Sequence, residues 1–287
     1  VFLVALIVRA IVAFRLWDLP LVTTPKLDSA EYVAWARRIS SGDFRWPIVS
    51  PHGPGYPFFL AAAFTLLNGS IRAALSIQAT IGAATAALIA IVASRGFGVR
   101  AGMIAGLAYG VYGPVVYVET TLLSEGLLLF LLTLALVLMS DSASKTAAGF
   151  AGATLGLGTL VRPTALFVVA ALLLWIVFHL WDDRRRALTA AACFLAGWAL
   201  LTTPALVKDW SVSHTLGVQA FGGLNFYIGN SPLHTGRASF RPGAGWDALN
   251  AEAFRAGITD AVSQDRYYVA KTLREIRAYP ASFLRLI

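Results

Sequence analysis

Charge is what this chain has least of. Only 13% of its 287 residues are Asp, Glu, Lys or Arg, against about 25% in an ordinary soluble domain. That scarcity excludes a disordered chain, a coiled coil and a typical water-soluble enzyme. A single cysteine, Cys193, excludes a disulfide framework and a cysteine-built metal centre. There is no internal repeat and no low-complexity tract. Nor is the first apolar run a cleavable signal peptide, because Arg9 interrupts it and no small-residue cleavage site follows.

What fills the chain instead is apolar: 57% of residues are hydrophobic and the mean hydropathy is +0.69. These values predict an all-α polytopic membrane protein, since lipid offers no partner for a free backbone N–H or C=O. Seven stretches approach the roughly 20 residues needed to cross a bilayer. They are 1–17, 71–94, 99–118, 122–140, 145–161, 164–180 and 187–207. The run 56–68 is apolar but too short, and reads as an interfacial or re-entrant segment of the outer surface.

The net charge is +8, and its basic side chains collect in short loops: Arg95 and Arg100, Lys145, and Arg184 to Arg186. The positive-inside rule sets these loops in the cytosol. The excess therefore reads as topology and not as nucleic-acid binding. Segments left outside are 18–70, the turn from Glu119 to Glu125, the Arg162-Pro163 turn, and everything after Lys208. Val1 lies already inside an apolar run, and Leu284 to Ile287 stop just after a proline-containing segment, so both ends read as internal to a longer protein. Two regions follow: a transmembrane core, 1–208, with its outer loop 18–70, and an outer-face part, 209–287, that opens a further C-terminal region. In the second, 222–232 reads as strand or loop and 247–278 as one amphipathic helix ending near Pro280. In the outer loop, Ser29–Ile39 has helical spacing of Ala30, Val33, Ala34 and Arg37, with Asp28 or Ser29 as its cap and Gly42 as its stop. Pro51, Gly53, Pro54, Gly55 and Pro57 then stiffen a turn.

Ionisable groups at an apolar slab are costly, which makes each a candidate for function. Asp28 suits either a helix cap or a general base or metal ligand facing an outer cavity. Glu125 either complements a helix dipole or supplies a second carboxylate, with Glu119 as its competitor. Arg162 breaks the inside bias of basic residues. It either snorkels or forks onto phosphate oxygens. Arg9, within the first span, can snorkel, pair with an acid in the bundle, or line a lipid-phosphate groove. His52 sits in the proline-glycine turn, either as a surface histidine without a role or at the cavity mouth. His214 and His234 match no metal-binding spacing. Two carboxylates and a guanidinium at the outer surface suit a reaction on a lipid-linked phosphate.

The order of features resembles the GT-C membrane glycosyltransferases of the family 39 type, which include protein O-mannosyltransferases, the lipid A aminoarabinose transferase and related bacterial sugar transferases. The likeness rests on Leu27-Asp28-Ser29-Ala30-Glu31-Tyr32, His52-Gly53-Pro54-Gly55-Tyr56-Pro57, Leu122-Leu123-Ser124-Glu125, Gly158-Thr159-Leu160-Val161-Arg162-Pro163 and Asn225-Phe226-Tyr227-Ile228-Gly229-Asn230. It implies a GT-C-like bundle with juxtamembrane helices in the first outer loop. It also implies a polyprenyl-phosphate-linked sugar donor, a lipid, glycan or protein acceptor, and inverting transfer on the outer side, facing the periplasm of a bacterial inner membrane. By position, Asp28 matches the catalytic aspartate of the first loop, Glu125 the acid of the second outer loop, and Arg162 the basic position that meets the lipid phosphate. Glu31, Tyr32, His52 and Tyr56 fall in the matching stretches as substrate contacts, with Arg9 and Glu119 beside them. Some members carry Asp-Glu at the first site; here it is Asp28-Ser29, so a second carboxylate there falls to Glu31 or to none. Asp28 and Glu125 would hold a divalent cation, Mg or Mn, if one takes part. A rival reading is a polytopic transporter or lipid flippase, with Arg9, Glu119 and Glu125 along its path.

Overall fold

The computed structural model describes residues 1–44, 52–141, 144–213, 222–233 and 244–286. All regular structure among them is helical. The chain divides into two units, Val1–Trp46 with Gly53–Val207, and Pro47–His52 with Lys208–Ile287.

The first unit begins with α1 (Phe2–Leu16), a short α2 (Pro20–Thr23) and α3 (Asp28–Ser40). Then come α4 (Gly55–Leu66), α5 (Ile71–Phe97), α6 (Val99–Val111) and α7 (Gly113–Glu119). It closes with α8 (Glu125–Ser140), α9 (Lys145–Val161), α10 (Ala165–His179) and the long α11 (Arg184–Ser213), whose residues from Lys208 on count with the second unit. Local chemistry sets many of the ends. Ser70 caps α5 by accepting the Ala73 N–H at 3.2 Å, and Ser144 does the same for α9 with Ala147. Gly98, at φ 88°, ends α5. Gly113-Pro114 bends α6 against α7 by 61°.

Helices approach closely where side chains are smallest. Gly102, Gly106 and Gly110 recur every four residues on α6, and a Cβ on Gly106 would lie 2.7 Å from the Ala86 carbonyl oxygen of α5. Gly152 lets α9 rest on the Phe194 backbone of α11. One apolar core joins α3, α4, α5 and α8 through Val33, Leu60, Leu75 and Leu128, and a second joins α8 to α11 through Met139, Leu155, Ile176 and Phe194. Large apolar side chains also point outward, among them Ile7, Ile11, Phe14, Phe167 and Leu200. On a water-soluble protein such faces would be an aggregation hazard; here they suit lipid.

The seven-span expectation is met only in part. Among the described residues two helices, α5 and α11, are long and apolar enough to cross a membrane, and the bent pair α6–α7 makes a third. α8 and α10, with 16 and 15 residues, are shorter than the stretches that suggested them, because turn residues such as Leu122 and Thr164 are apolar or small enough to extend a hydropathy run. α4 has 12 residues, about 18 Å of helix, less than the hydrocarbon core. The α3 helix forms as expected but without the expected cap. Leu27 holds the cap position at φ 55°, no side chain caps it, and Asp28 is the first helical residue.

The second unit packs α12 (Gly222–Asn230), α13 (Ala244–Arg255), α14 (Ala261–Ala278) and α15 (Pro280–Leu284). The reading of 222–232 as strand or loop is overturned. Leu224 and Tyr227, three apart, place one helical face on Leu249, Ala253 and Tyr268, and Gly223 is there because the Asp265 backbone lies against it. The single helix expected over 247–278 is two. Gly257, at φ 79°, breaks it, and Asp260 restarts it by accepting the Ser263 N–H at 2.8 Å.

Candidate active site

Tyr32 is the point on which the predicted residues converge. Its hydroxyl donates to Ser124 Oγ at 3.2 Å, and its ring meets that of Tyr56 edge-on, with centroids 4.7 Å apart. Burial, reinforced by the carboxylates of Asp28 and Glu125, pushes its phenol up to about 12; the Ser124 bond and Arg162 act the other way. The phenol thus stays protonated at neutral pH. Asp28, Glu125 and Arg162 thus all lie within electrostatic reach of this hydroxyl. Asp28 is solvent-exposed on the first turn of α3. Glu31 is exposed one turn on.

Arg162, just past the end of α9, forms an ion pair with Glu125, the first residue of α8, with both side chains 39% exposed. Neighbouring backbone brings these ends together. Gly53 and Gly55 lie against Leu160 and Val161, and a Cβ on Gly55 would meet the Val161 nitrogen at 2.7 Å. The stretch leading to Glu125 is tied on two sides. Ser29 Oγ donates to the Leu122 carbonyl at 2.9 Å, and Gln78 Nε2 donates to the Val118 and Thr121 carbonyls at 3.2 and 2.5 Å.

Tyr56 lies beneath this cluster and not in its opening. It is fully buried, and its hydroxyl donates to Gln78 Oε1 at 2.6 Å. Gln78 thereby links the floor of the site to the chain that carries Glu125. Sequence reasoning missed Gln78 and Ser124. The signal for Gln78 was available, as the one amide side chain in the span 71–94.

Arg9 and Glu119 stand apart from the cluster around Tyr32. They pair with each other inside the bundle, the outcome that the sequence offered Arg9 as one of three. His52 is half-buried and belongs to the second unit. His214 and His234 lie outside the described residues.

Beside the polar cluster the first unit holds an apolar cavity of ≈560 Å³. Its walls include Gly55, Phe59, Leu127, Leu131, Val161 and Pro204, so residues next to Tyr56, Arg162 and Glu125 in sequence begin its lining. Among the described residues no group of three or more His, Cys, Asp or Glu side chains stands together. Glu125 is paired with Arg162, and no step below is routed through a metal ion.

A family model described as dolichyl-phosphate-mannose-protein mannosyltransferase matches residues 51–207, more than half of the chain. The matched range holds Tyr56, Gln78, Glu125 and Arg162 and begins after Asp28. Searches of curated proteins and of solved structures returned no match.

Proposed function

The chain belongs to the dolichyl-phosphate-mannose-protein mannosyltransferase family, a membrane glycosyltransferase by that membership, and on this premise we propose that it moves a sugar from a polyprenyl-phosphate donor to an acceptor hydroxyl or amine at the outer face of the membrane. The observation that carries the reading is the half-exposed Arg162–Glu125 pair, whose chain neighbours Val161 and Leu127 line the apolar cavity. A lipid-linked phosphate needs a cation at its head and an apolar channel for its tail, and the two adjoin here. The guanidinium forks onto the phosphate oxygens and offsets the charge that grows on them as the sugar leaves. Glu125 orients Arg162 and balances it before the donor arrives.

Asp28 is the general base. It takes the proton of the incoming hydroxyl or amine while that atom attacks the anomeric carbon from the side opposite the phosphate. The carbon–oxygen bond to phosphate breaks, the polyprenyl phosphate departs, and the anomeric centre inverts. Tyr32, neutral and buried against Ser124 and Tyr56, shapes the wall of the site. The same reading keeps the seven apolar stretches as membrane crossings, sets Asp28, Glu125 and Arg162 on the side away from the cytosol, and puts the protein in a bacterial plasma membrane facing the periplasm.

The test is a panel of radiolabelled polyprenyl-phosphate sugars offered to purified full-length protein, with and without chelator. Asp28→Asn should insert normally and abolish transfer. Near-normal turnover in that variant overturns the base role, and loss of turnover with chelator overturns the metal-free scheme.

A further inference from the structure

A second cavity in the first unit, of ≈410 Å³, lies at the other end of α9 from the Arg162–Glu125 pair. Its lining includes Ser144, Lys145, Asp183, Arg185, Arg186 and Thr189. The 17 residues of α9 make about 25 Å of helix at 1.5 Å per residue, close to the thickness of a bilayer's hydrocarbon core. One end of α8 and α9 therefore carries the candidate active site, and the opposite end carries this basic cavity.

Among the described residues its charge is not balanced by carboxylates. Among the described residues no carboxylate forms an ion pair with Lys145, Arg185 or Arg186. Asp141, on the same end, is taken by Arg95 at 2.8 Å. Asp183 Oδ1 accepts the Arg186 backbone N–H at 3.0 Å. Ser144 accepts the Ala147 N–H with its oxygen, so its own O–H remains a donor. Three cations against one capping carboxylate make a site for an anion with several acceptor oxygens.

The surroundings say which anion. Trp181, 61% exposed just past α10, stacks with Phe178, as amphipathic rings do at headgroup depth. Away from the cavity along the two lining helices run outward-facing apolar side chains seven residues apart: Phe150 and Leu157 on α9, Leu188 and Leu195 on α11. Both lining helices thus offer outward-facing apolar side chains to acyl chains in the hydrocarbon core.

We propose that this cavity binds the phosphate of an anionic phospholipid in the leaflet opposite the candidate active site. Arg185 and Arg186 supply forked donors, Lys145 a point charge, and the α9 and α11 stripes seat the acyl chains. The proposal does not depend on the sugar-transfer reading.

Native mass spectrometry of the full chain, with phosphatidylglycerol or phosphatidylcholine added in equal amount, tests it. The unmodified protein should retain phosphatidylglycerol and not phosphatidylcholine. Arg185→Ala should weaken retention about fivefold, roughly the effect of one cation at a membrane surface. Arg184→Ala removes the same charge one residue outside the lining and should leave retention unchanged. Equal loss in Arg184→Ala would show diffuse attraction to a basic loop and overturn the site. Displacement of the lipid by millimolar inorganic phosphate would show a site for the free anion, and equal retention of phosphatidylcholine would show none for phosphate; either overturns the proposal. The two lipid arms and the phosphate arm use unmodified protein, so the outcome stands even where Arg185→Ala fails to fold.

Discussion

Arg9 of α1 and Glu119 of α7, 110 residues apart in sequence, form an ion pair from which water is excluded. Arg9 Nε lies 2.7 Å from Glu119 Oε2, and both side chains are 0% exposed. Further bonds hold both side chains in place. Arg9 also donates to the Ala5 and Gly110 carbonyls, and Tyr109 donates to Glu119 Oε1 at 2.7 Å. Gly82 makes the room, since a Cβ there would stand 2.7 Å from Arg9 Nε. The pair joins α1 to α7 across α5 and α6.

Breaking it from one side leaves a buried charge alone, which costs about 3–5 kcal/mol. Arg9→Ala and Glu119→Ala should each lower the thermal midpoint in detergent sharply. The double variant Arg9→Met with Glu119→Met should recover most of that loss. If the double loss equals the sum of the single ones, the interaction is not a coupled pair.

Gln78 should act on turnover through the groups it holds. Gln78→Leu leaves two carbonyls and the Tyr56 hydroxyl without partners, at about 1–3 kcal/mol for each buried orphan. It also loosens the chain before Glu125. Steady-state kinetics should show kcat falling more than the donor KM rises. Gln78→Glu restores only the acceptor for Tyr56 and should recover part of the activity. A lowered melting temperature with kcat unchanged would make Gln78 a purely structural residue.

The contact between α9 and α11 tolerates no added carbon at one glycine and some at another. A Cβ on Gly152 would meet the Phe194 backbone, with the carbonyl carbon at 2.8 Å and Cα at 3.0 Å, whereas on Gly149 it would meet only the Cys193 oxygen, at 3.7 Å. Gly152→Ala should destabilise by about 1–3 kcal/mol through overpacking. Gly149→Ala should be neutral or mildly stabilising, because alanine is the better helix former. Paired denaturation curves decide it, and the idea fails if the two variants behave alike.

In the C-terminal unit the Lys271–Glu252 ion pair sets a pH window. Burial raises Glu252, but hydrogen bonds from Lys271 and Tyr267 outweigh it and hold the carboxyl below its ordinary value; Lys271, which burial alone would lower, is raised by its bond to Glu252. A depressed acid stabilises above its unfolded pKa and loses that contribution as pH falls through the folded value. A raised amine stabilises below its unfolded pKa and loses it as pH rises through the folded one. Denaturant unfolding of this unit in the full chain should therefore show a plateau through neutral pH. It should fall on the acid side below the ordinary glutamate value and on the alkaline side above the ordinary lysine value. Glu252→Gln should flatten the acid limb; an unchanged limb would assign it to other groups.

Much of the site was legible because ionisable residues at an apolar boundary are few. Asp28, Glu125 and Arg162 stood out one by one, and α3 followed from its spacing of small and apolar residues. Partnership was not legible. Nothing in the chain says that Arg162 takes Glu125, or that Arg9 takes Glu119, since both pairs are made by helix packing across long separations. Gln78 could be singled out as the one amide in its span, but its three partners could not be read from the chain. The fold erred where glycine has two meanings. Gly222-Gly223 suggested a turn, but Gly223 serves close approach by Asp265 within a helical pair. Helix bounds differ from the hydropathy runs for another reason: hydropathy does not register where a helix ends when the turn is apolar too.

Leu27 leads somewhere unexpected. It is exposed, so its side chain contributes little to burial, and it holds φ 55°, ψ −136°, a backbone shape that glycine adopts without penalty. A directed-evolution screen that rewards heat resistance alone would select Leu27→Gly early. The residue it loosens stands immediately before Asp28, so the most thermotolerant clones from such a screen would be the ones to check first for lost activity.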